Sequence, residues 1–254
     1  MSLNRVVTGS GHDLVLLHGW GASAGVFTEL AAKLATRFRV HAVDLPGYGA
    51  SVPCMPYSLP RLVAALGGEL PPSCHVVGWS LGALAAMAWA RSAPGQVVRI
   101  ALVAATPCFA RRNDWPHGVE AHVLDDFERE LASDSAGAIR RFIALQVLGD
   151  VNARRSAQTL RLHALHGGIP SIDVLSGGLR ILRDTDLRGA LAGIRQRALV
   201  VHGDHDRVTP AAAGQFLAHG IPGARFERVG GVAHAPFLSK PTHVGALLAD
   251  FFHG

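Results

Sequence analysis

A serine able to act as a nucleophile stands at the centre of Gly78-Trp79-Ser80-Leu81-Gly82. The apolar run Cys74-His75-Val76-Val77 precedes it, and the small-residue run Ala83–Ala90 follows. Strand, Gly-x-Ser-x-Gly and helix in that order predict a nucleophile elbow, a turn so tight that the serine backbone is strained. Glycines two residues to either side let the neighbouring chain pass without a Cβ clash. The hydroxyl then stands at the carboxyl edge of a sheet, at the positive end of a helix. The five-residue pattern alone recurs by chance, and the elements around it give it meaning.

A serine hydroxyl needs a base to take its proton during attack. Histidine suits the task because it titrates near working pH and can return the proton to a leaving group. A carboxylate then fixes the imidazole tautomer and stabilises the imidazolium. The chain has 14 histidines. Position singles out His234, on a loop after the last strand-like run, Ala224–Val229, and before the final helix. Two carboxylates compete for the acid role beyond the strand-like run Arg197–Gly203. Asp204 lies close to the strand end, where it would cap or brace the turn, and Asp206 lies further along. His202 is expected as buried strand-end polarity and His205 as a loop residue. An early apolar run, Leu14–Leu17, ends in His18-Gly19-Trp20-Gly21. Such a glycine-rich turn allows close backbone approach, and backbone N–H groups aimed at a developing oxyanion are a large term in acyl transfer.

These residues need a scaffold, and the chain supplies one. Its 254 residues suffice for one large domain with a full core. From Leu3 to Thr106 strand-like and helix-like runs alternate, with further strands expected at Arg39–Val43 and Arg99–Ala104. That alternation predicts an α/β fold with a mostly parallel central sheet flanked by helices, which places ligands at the strand carboxyl ends. Between Pro107 and Gly189 strand signals disappear. Helices are expected at Val119–Ser133, Ser135–Leu148, Asn152–His166 and Ile172–Asp184, with Asp150 and Ser171 as caps. One crossover needs one helix, so four predict a helical cap over 107–189, inserted into a core of 1–106 and 190–254. No run approaches the length of a membrane helix, and Met1–Arg5 lacks the apolar stretch of a signal peptide. Cys54, Cys74 and Cys108 are odd in number and scattered, which fits neither a disulfide framework nor metal spacing. A cytoplasmic location, no metal and no cofactor are expected, and the chain is expected to act as a monomer.

The chain resembles the α/β-hydrolase superfamily over essentially its whole length. More narrowly, it resembles the pimeloyl-[acyl-carrier protein] methyl ester esterases. Leu14–Gly21, Val43–Ser51 and Gly78–Gly82 carry the likeness, with Pro107-Cys108-Phe109, Asp114-Trp115-Pro116, Arg141–Gln146, Val174–Leu179 and Ala233–Phe237. Val43–Ser51 is common to many α/β-hydrolases, whereas Phe142–Gln146 and Trp20 are more specific. The resemblance implies the triad order serine, acid, histidine, hence Ser80, Asp206 and His234. Asp206 is favoured over Asp204 because it stands three residues after Gly203 and shortly before an apolar residue and Pro210. The oxyanion donors it implies are the N–H groups of Leu81 and Trp20. It further implies an acyl slot lined by Phe142, Ile143, Ala144, Leu145 and Gln146 with Trp20 and Leu81, next to Ser80 and His234.

The same region is basic, in a chain of net charge +5. Basic patches steer acidic partners. In the resembling family cap arginines contact acyl carrier protein, and Arg141 and Arg154 fall at matching positions. Gly137 and Gln158 stand where that family has two further arginines, so either Arg140, Arg155 or Arg161 compensates or the docking is weaker. Carrier docking through Arg140, Arg141, Arg154 and Arg155 is therefore expected. The implied activity is cleavage of the methyl ester of pimeloyl-acyl carrier protein through an acyl-enzyme on Ser80, in biotin synthesis. Small-molecule esters are further expected substrates. A short-chain carboxylesterase with no carrier, or a carbon–carbon bond hydrolase of the same fold, would use the same triad. Nucleic acid is disfavoured, since no binding motif or aromatic platform accompanies the charge, and so is a membrane partner.

Overall fold

A computed structural model of the chain describes residues 2–164 and 168–253. The expected helix end at His166, the opening Met1 and the final Gly254 lie outside them. Seven strands form one sheet: β1 (Arg5–Thr8), β2 (His12–Leu17), β3 (Phe38–Val43), β4 (Cys74–Trp79), β5 (Val97–Val103), β6 (Arg197–Gly203) and β7 (Arg225–Val229). Their order is β1-β3-β2-β4-β5-β6-β7. β1 runs antiparallel to β3, and every other pair is parallel. Leu14–Leu17, Val76, Val77, Ile100–Val103 and Leu199–Val201 form the buried middle of the sheet. Such continuous apolar strands are those of a parallel sheet covered on both faces.

The covering helices are α1 (Thr28–Leu34), α2 (Leu59–Glu69), α3 (Leu81–Ser92), α4 (Ala121–Ser133), α5 (Ser135–Gln146), α6 (Ala153–Ala164), α7 (Ile172–Asp184), α8 (Ala211–Gly220), α9 (Pro236–Ser239) and α10 (Pro241–His253). Among the described residues none is long and apolar enough to cross a membrane. α4 to α7 lie between β5 and β6. The Ser171 hydroxyl caps α7 by accepting from the Val174 amide. Both ends of this insertion are tied together: Leu187 N donates to Pro107 O at 2.8 Å, and Cys108 bridges Asp186. The glycine pair of α7 explains its close seat on the core. An added Cβ at Gly177 would meet Tyr57 Cβ at 2.5 Å and its ring at 3.0 Å, and one at Gly178 would lie 2.8 Å from the Trp20 ring.

Candidate active site

The serine sits where strand becomes helix. β4 ends at Trp79 and α3 begins at Leu81, leaving Ser80 as the single residue of the turn. Its φ of 56° is in the left-handed region that a side chain disfavours. The elbow is seated by close approach: an added Cβ at Gly82 would lie 2.3 Å from Leu17 O, and one at Gly78 2.5 Å from Gly82 O.

A second and a third residue converge on that serine. His234 Nε2 lies 3.0 Å from Ser80 Oγ, and His234 Nδ1 lies 2.8 Å from Asp206 Oδ2. With Nδ1–H donating to the carboxylate, Nε2 is left free to accept the serine proton. Asp206 Oδ1 accepts from the amides of Val208 and Thr209 at 2.8 and 2.9 Å, and Oδ2 accepts from the Thr209 hydroxyl at 2.9 Å. Burial acts to raise the Asp206 carboxyl, but the facing His234 and the hydrogen bonds outweigh it and hold the group below its ordinary value. Asp204 points elsewhere: it accepts from the Val232 amide at 3.3 Å and braces the loop. His205 reaches Gly149 O at 2.7 Å. His202 is fully buried beside Asp206, and desolvation lowers its pKa, so it stays neutral there.

The histidine backbone is held from both sides. Trp79 Nε1 donates to His234 O at 2.8 Å, and the His234 amide donates to Gln146 O at 3.0 Å. Sequence reasoning gave neither Trp79 nor Thr209 a role. The signal for Thr209 was its place three residues after Asp206, where an Asx-type turn returns amides to the carboxylate. Trp79 had none, because its partner is 155 positions away.

The His18–Gly21 loop lies against the serine. A Cβ added at Gly19 would lie 3.1 Å from Ser80 Cβ. His18 ties this loop to its neighbour: Nδ1 donates to Gly19 O at 2.8 Å, and Nε2 accepts from the Leu45 amide at 3.0 Å. The bond accepted by Nε2 demands the neutral ring, and burial lowers its pKa accordingly. Among the described residues the amides of Trp20 and Leu81 donate to no protein acceptor. Backbone N–H groups left without an acceptor are what a developing oxyanion requires, and Leu81 directly follows Ser80 in the chain.

A cavity of about 210 Å³ is walled by Trp20, Phe109, Phe127, Phe142, Leu145 and Leu179 among other apolar residues. It reaches the triad side through Arg207 and Val208, which follow Asp206. Leu81, Ser80 and His234, expected beside the slot, do not line it. Its one charged neighbour is Arg207. Trp20 stands edge-on to Phe127 and Phe142, each ring centre 5.4 Å away, and donates Nε1–H to Leu175 O. Of the stretch expected to line the slot, Phe142 and Leu145 do so. Ile143 is packed in the core, Ala144 faces solvent, and Gln146 is buried with its carbonyl on His234. The helical period decides this, since residues three apart share a face and neighbours do not.

The four arginines expected to dock a carrier lie on α5 and α6, and all are exposed. Three already hold carboxylates of this chain: Arg140 pairs with Asp134 at 3.8 Å, Arg141 with Glu130, and Arg155 with Glu29 at 2.6 Å. Arg154 has no such partner among the described residues and borders a groove with Asp150, Arg155 and Gln158. No group of three or more His, Cys, Asp or Glu among the described residues is placed to hold a metal ion.

Residues 14–246 match the model of the alpha/beta hydrolase family. The chain is 44% identical over 246 residues to the pimeloyl-[acyl-carrier protein] methyl ester esterase of Stenotrophomonas maltophilia (strain K279a), covering 96% of this chain and 94% of that one. It is 42% identical to the enzyme of the same name from Nitrosomonas europaea, covering 94% and 95%. Among solved structures, an esterase from Exiguobacterium antarcticum superposes with a TM-score of 0.90 at 22% identity, over 99% of this chain and 96% of that one.

Proposed function

The chain belongs to the alpha/beta hydrolase family as a carboxylic ester hydrolase, and we propose that it frees pimeloyl-acyl carrier protein from its methyl ester in biotin synthesis. The unbroken chain of bonds from Ser80 through His234 to Asp206 supports the ester hydrolysis, and the observation that carries the substrate is the 44% identity to an esterase of that name over 96% of this chain. Ser80 Oγ attacks the ester carbonyl while His234 Nε2 takes its proton. The new oxyanion is held by the amides of Leu81 and Trp20. Collapse expels methanol, which leaves with the proton from His234, and an acyl group remains on Ser80. Water, deprotonated by His234, attacks that acyl group. Ser80 leaves with the proton, and the free carboxylate is released.

The helices of 107–189 act as a cap whose apolar underside and Trp20 form the slot for the acyl chain. Its outer face presents Arg154 to the acidic carrier, and Arg140, Arg141 and Arg155 join by exchanging their present carboxylates for the carrier's. The enzyme works in the cytoplasm, on a carrier it meets by electrostatic steering.

The test compares methyl pimeloyl-acyl carrier protein with free dimethyl pimelate at low and high salt. A much larger kcat/KM for the carrier-bound ester, falling with salt, is the expected result. Arg154→Glu should raise KM for the carrier-bound ester about fivefold, the size of one exposed ion pair. Equal rates on both esters, insensitive to salt, would mean an esterase that ignores the carrier. Ser80→Ala should abolish cleavage of both in a protein that still folds.

A further inference from the structure

The loop that carries His234 is fastened to the helical insertion as much as to the sheet. Val151 N donates to Gly231 O at 2.9 Å, and the Asn152 side chain donates to Ser239 O at 2.9 Å. At the centre of this seam is Asp150, buried between α5 and α6. Its Oδ2 accepts from the Ala233 amide at 2.9 Å and its Oδ1 from the Asn152 amide at 2.7 Å. The Ser239 hydroxyl lies 2.7 and 2.6 Å from the two oxygens. Ser239 has one proton and gives it to the carboxylate, so it accepts from Ser156, 3.0 Å away. Among the described residues no Lys or Arg pairs with Asp150. Its charge is met by N–H and O–H donors alone, two of them on the segment that presents His234.

We propose that Asp150 is a positioning residue for His234, holding the Ala233 peptide so that the imidazole reaches Ser80 and Asp206 together. This rests on the reading of His234 as the general base. The insertion is then part of the catalytic machinery as well as a wall of the slot. An amide cannot replace the carboxylate. Its single oxygen would satisfy either Ala233 or Asn152, and its NH2 group would face the other donor. A displacement of about 1 Å at a reacting group costs on the order of 100-fold in rate.

The test uses p-nitrophenyl butyrate, which needs no carrier and reports on the triad alone. Asp150→Asn and Ser239→Ala are compared with the wild type, with rates normalised to sites titrated by a fluorophosphonate. Asp150→Asn should lose about 100-fold in kcat, with KM within about twofold and faster exchange of the Ala233 and His234 amide protons. Ser239→Ala, which keeps both amide bonds, should lose less in kcat and likewise spare KM. Should Asp150→Asn fail to fold, Ser239→Ala decides alone. Wild-type kcat in the folded variant, or a loss that vanishes on normalisation, overturns the proposal. Failure of the base assignment would show separately, as activity retained by His234→Ala.

Discussion

Four donors meet the Asp206 carboxylate at 2.8–2.9 Å: the Val208 and Thr209 amides, the Thr209 hydroxyl and His234 Nδ1. The Asp204 carboxylate, two residues earlier, has one long bond to Val232 and is partly exposed. The two should therefore respond differently to the same change. Asp206→Asn turns an N–H towards His234 Nδ1 or forces the opposite tautomer, and Nε2 can then no longer take the serine proton. A loss of roughly 10⁴ in kcat is expected, the size such tautomer errors reach in serine hydrolases. Asp204→Asn should stay within a few fold. Steady-state kinetics on one p-nitrophenyl ester compares them, and the reverse ranking would move the acid role to Asp204. Residue types and order in the sequence were enough to nominate Ser80, Asp206 and His234. The spacing of Thr209 from Asp206 hinted at its amide bond but not at its hydroxyl, which gives its one proton to the carboxylate and also lies 3.1 Å from the carbonyl of Ala104. Ala104 holds φ of 47° at the end of β5, a conformation that an alanine at the end of an apolar run gives no sign of.

At the scale of elements, the elbow depends on how near α3 comes to β2. An added Cβ at Gly82 would lie 2.3 Å from Leu17 O and 2.6 Å from His18 O, both backbone atoms fixed in the sheet and its following loop. Gly82→Ala must push α3 outward. It should cost about 1–3 kcal/mol, as overpacking does, and move Ser80 off His234. Gly68, in the last turn of α2, has nothing within 4 Å of an added Cβ. Gly68→Ala should raise stability by about 0.5–1 kcal/mol through the unfolded chain alone. Urea denaturation of both variants, with kcat beside it, checks the pair, and a Gly82→Ala protein of native stability and activity would refute the argument. Patterning made β2 to β6 legible, because the buried part of a parallel strand is a continuous apolar run, and β7 was also expected although only its Val229 is buried. β1 was not among the expected strands. Its Val6 and Val7 are exposed, and it is held by backbone pairing to β3 rather than by burial. Likewise, Phe142–Gln146 was read as one lining stretch by resemblance, whereas the helix expected there turns Phe142 and Leu145 to the cavity and their neighbours away.

For the molecule as a whole, acid stability should fall in two steps, led by groups at the far end of the sheet from the triad. At the amino-terminal end of the sheet, His75 stacks on Phe252 at 4.9 Å and lies 4.4 Å from the His12 ring. Burial, with the nearby His12 and Arg99, lowers the His75 pKa to about 4. The unfolded chain titrates this group near 6.5. A base whose folded pKa is depressed contributes stability that is complete above about 6.5 and lost as pH falls towards 4, because the unfolded chain takes up the proton first. Asp13 follows below that. The guanidinium of Arg39 binds it at 2.5 and 2.7 Å, and His41 at 2.6 Å, and these hold its carboxyl at about 2 against the opposing effect of burial. Its contribution is complete above the ordinary carboxylate value, about 3.9, and is lost between there and 2. The buried His18 and His202, both lowered, add to the upper step. His75→Phe keeps a ring for the stack on Phe252 and removes one titrating group. The free energy of unfolding from urea titrations between pH 7 and pH 4 should then fall less steeply, by about one proton's worth. The step below pH 4 should be unchanged, and Asp13→Asn should weaken it instead. An unaltered slope above pH 4 in His75→Phe would mean that this ring takes up its proton over the same range in the folded and the unfolded chain.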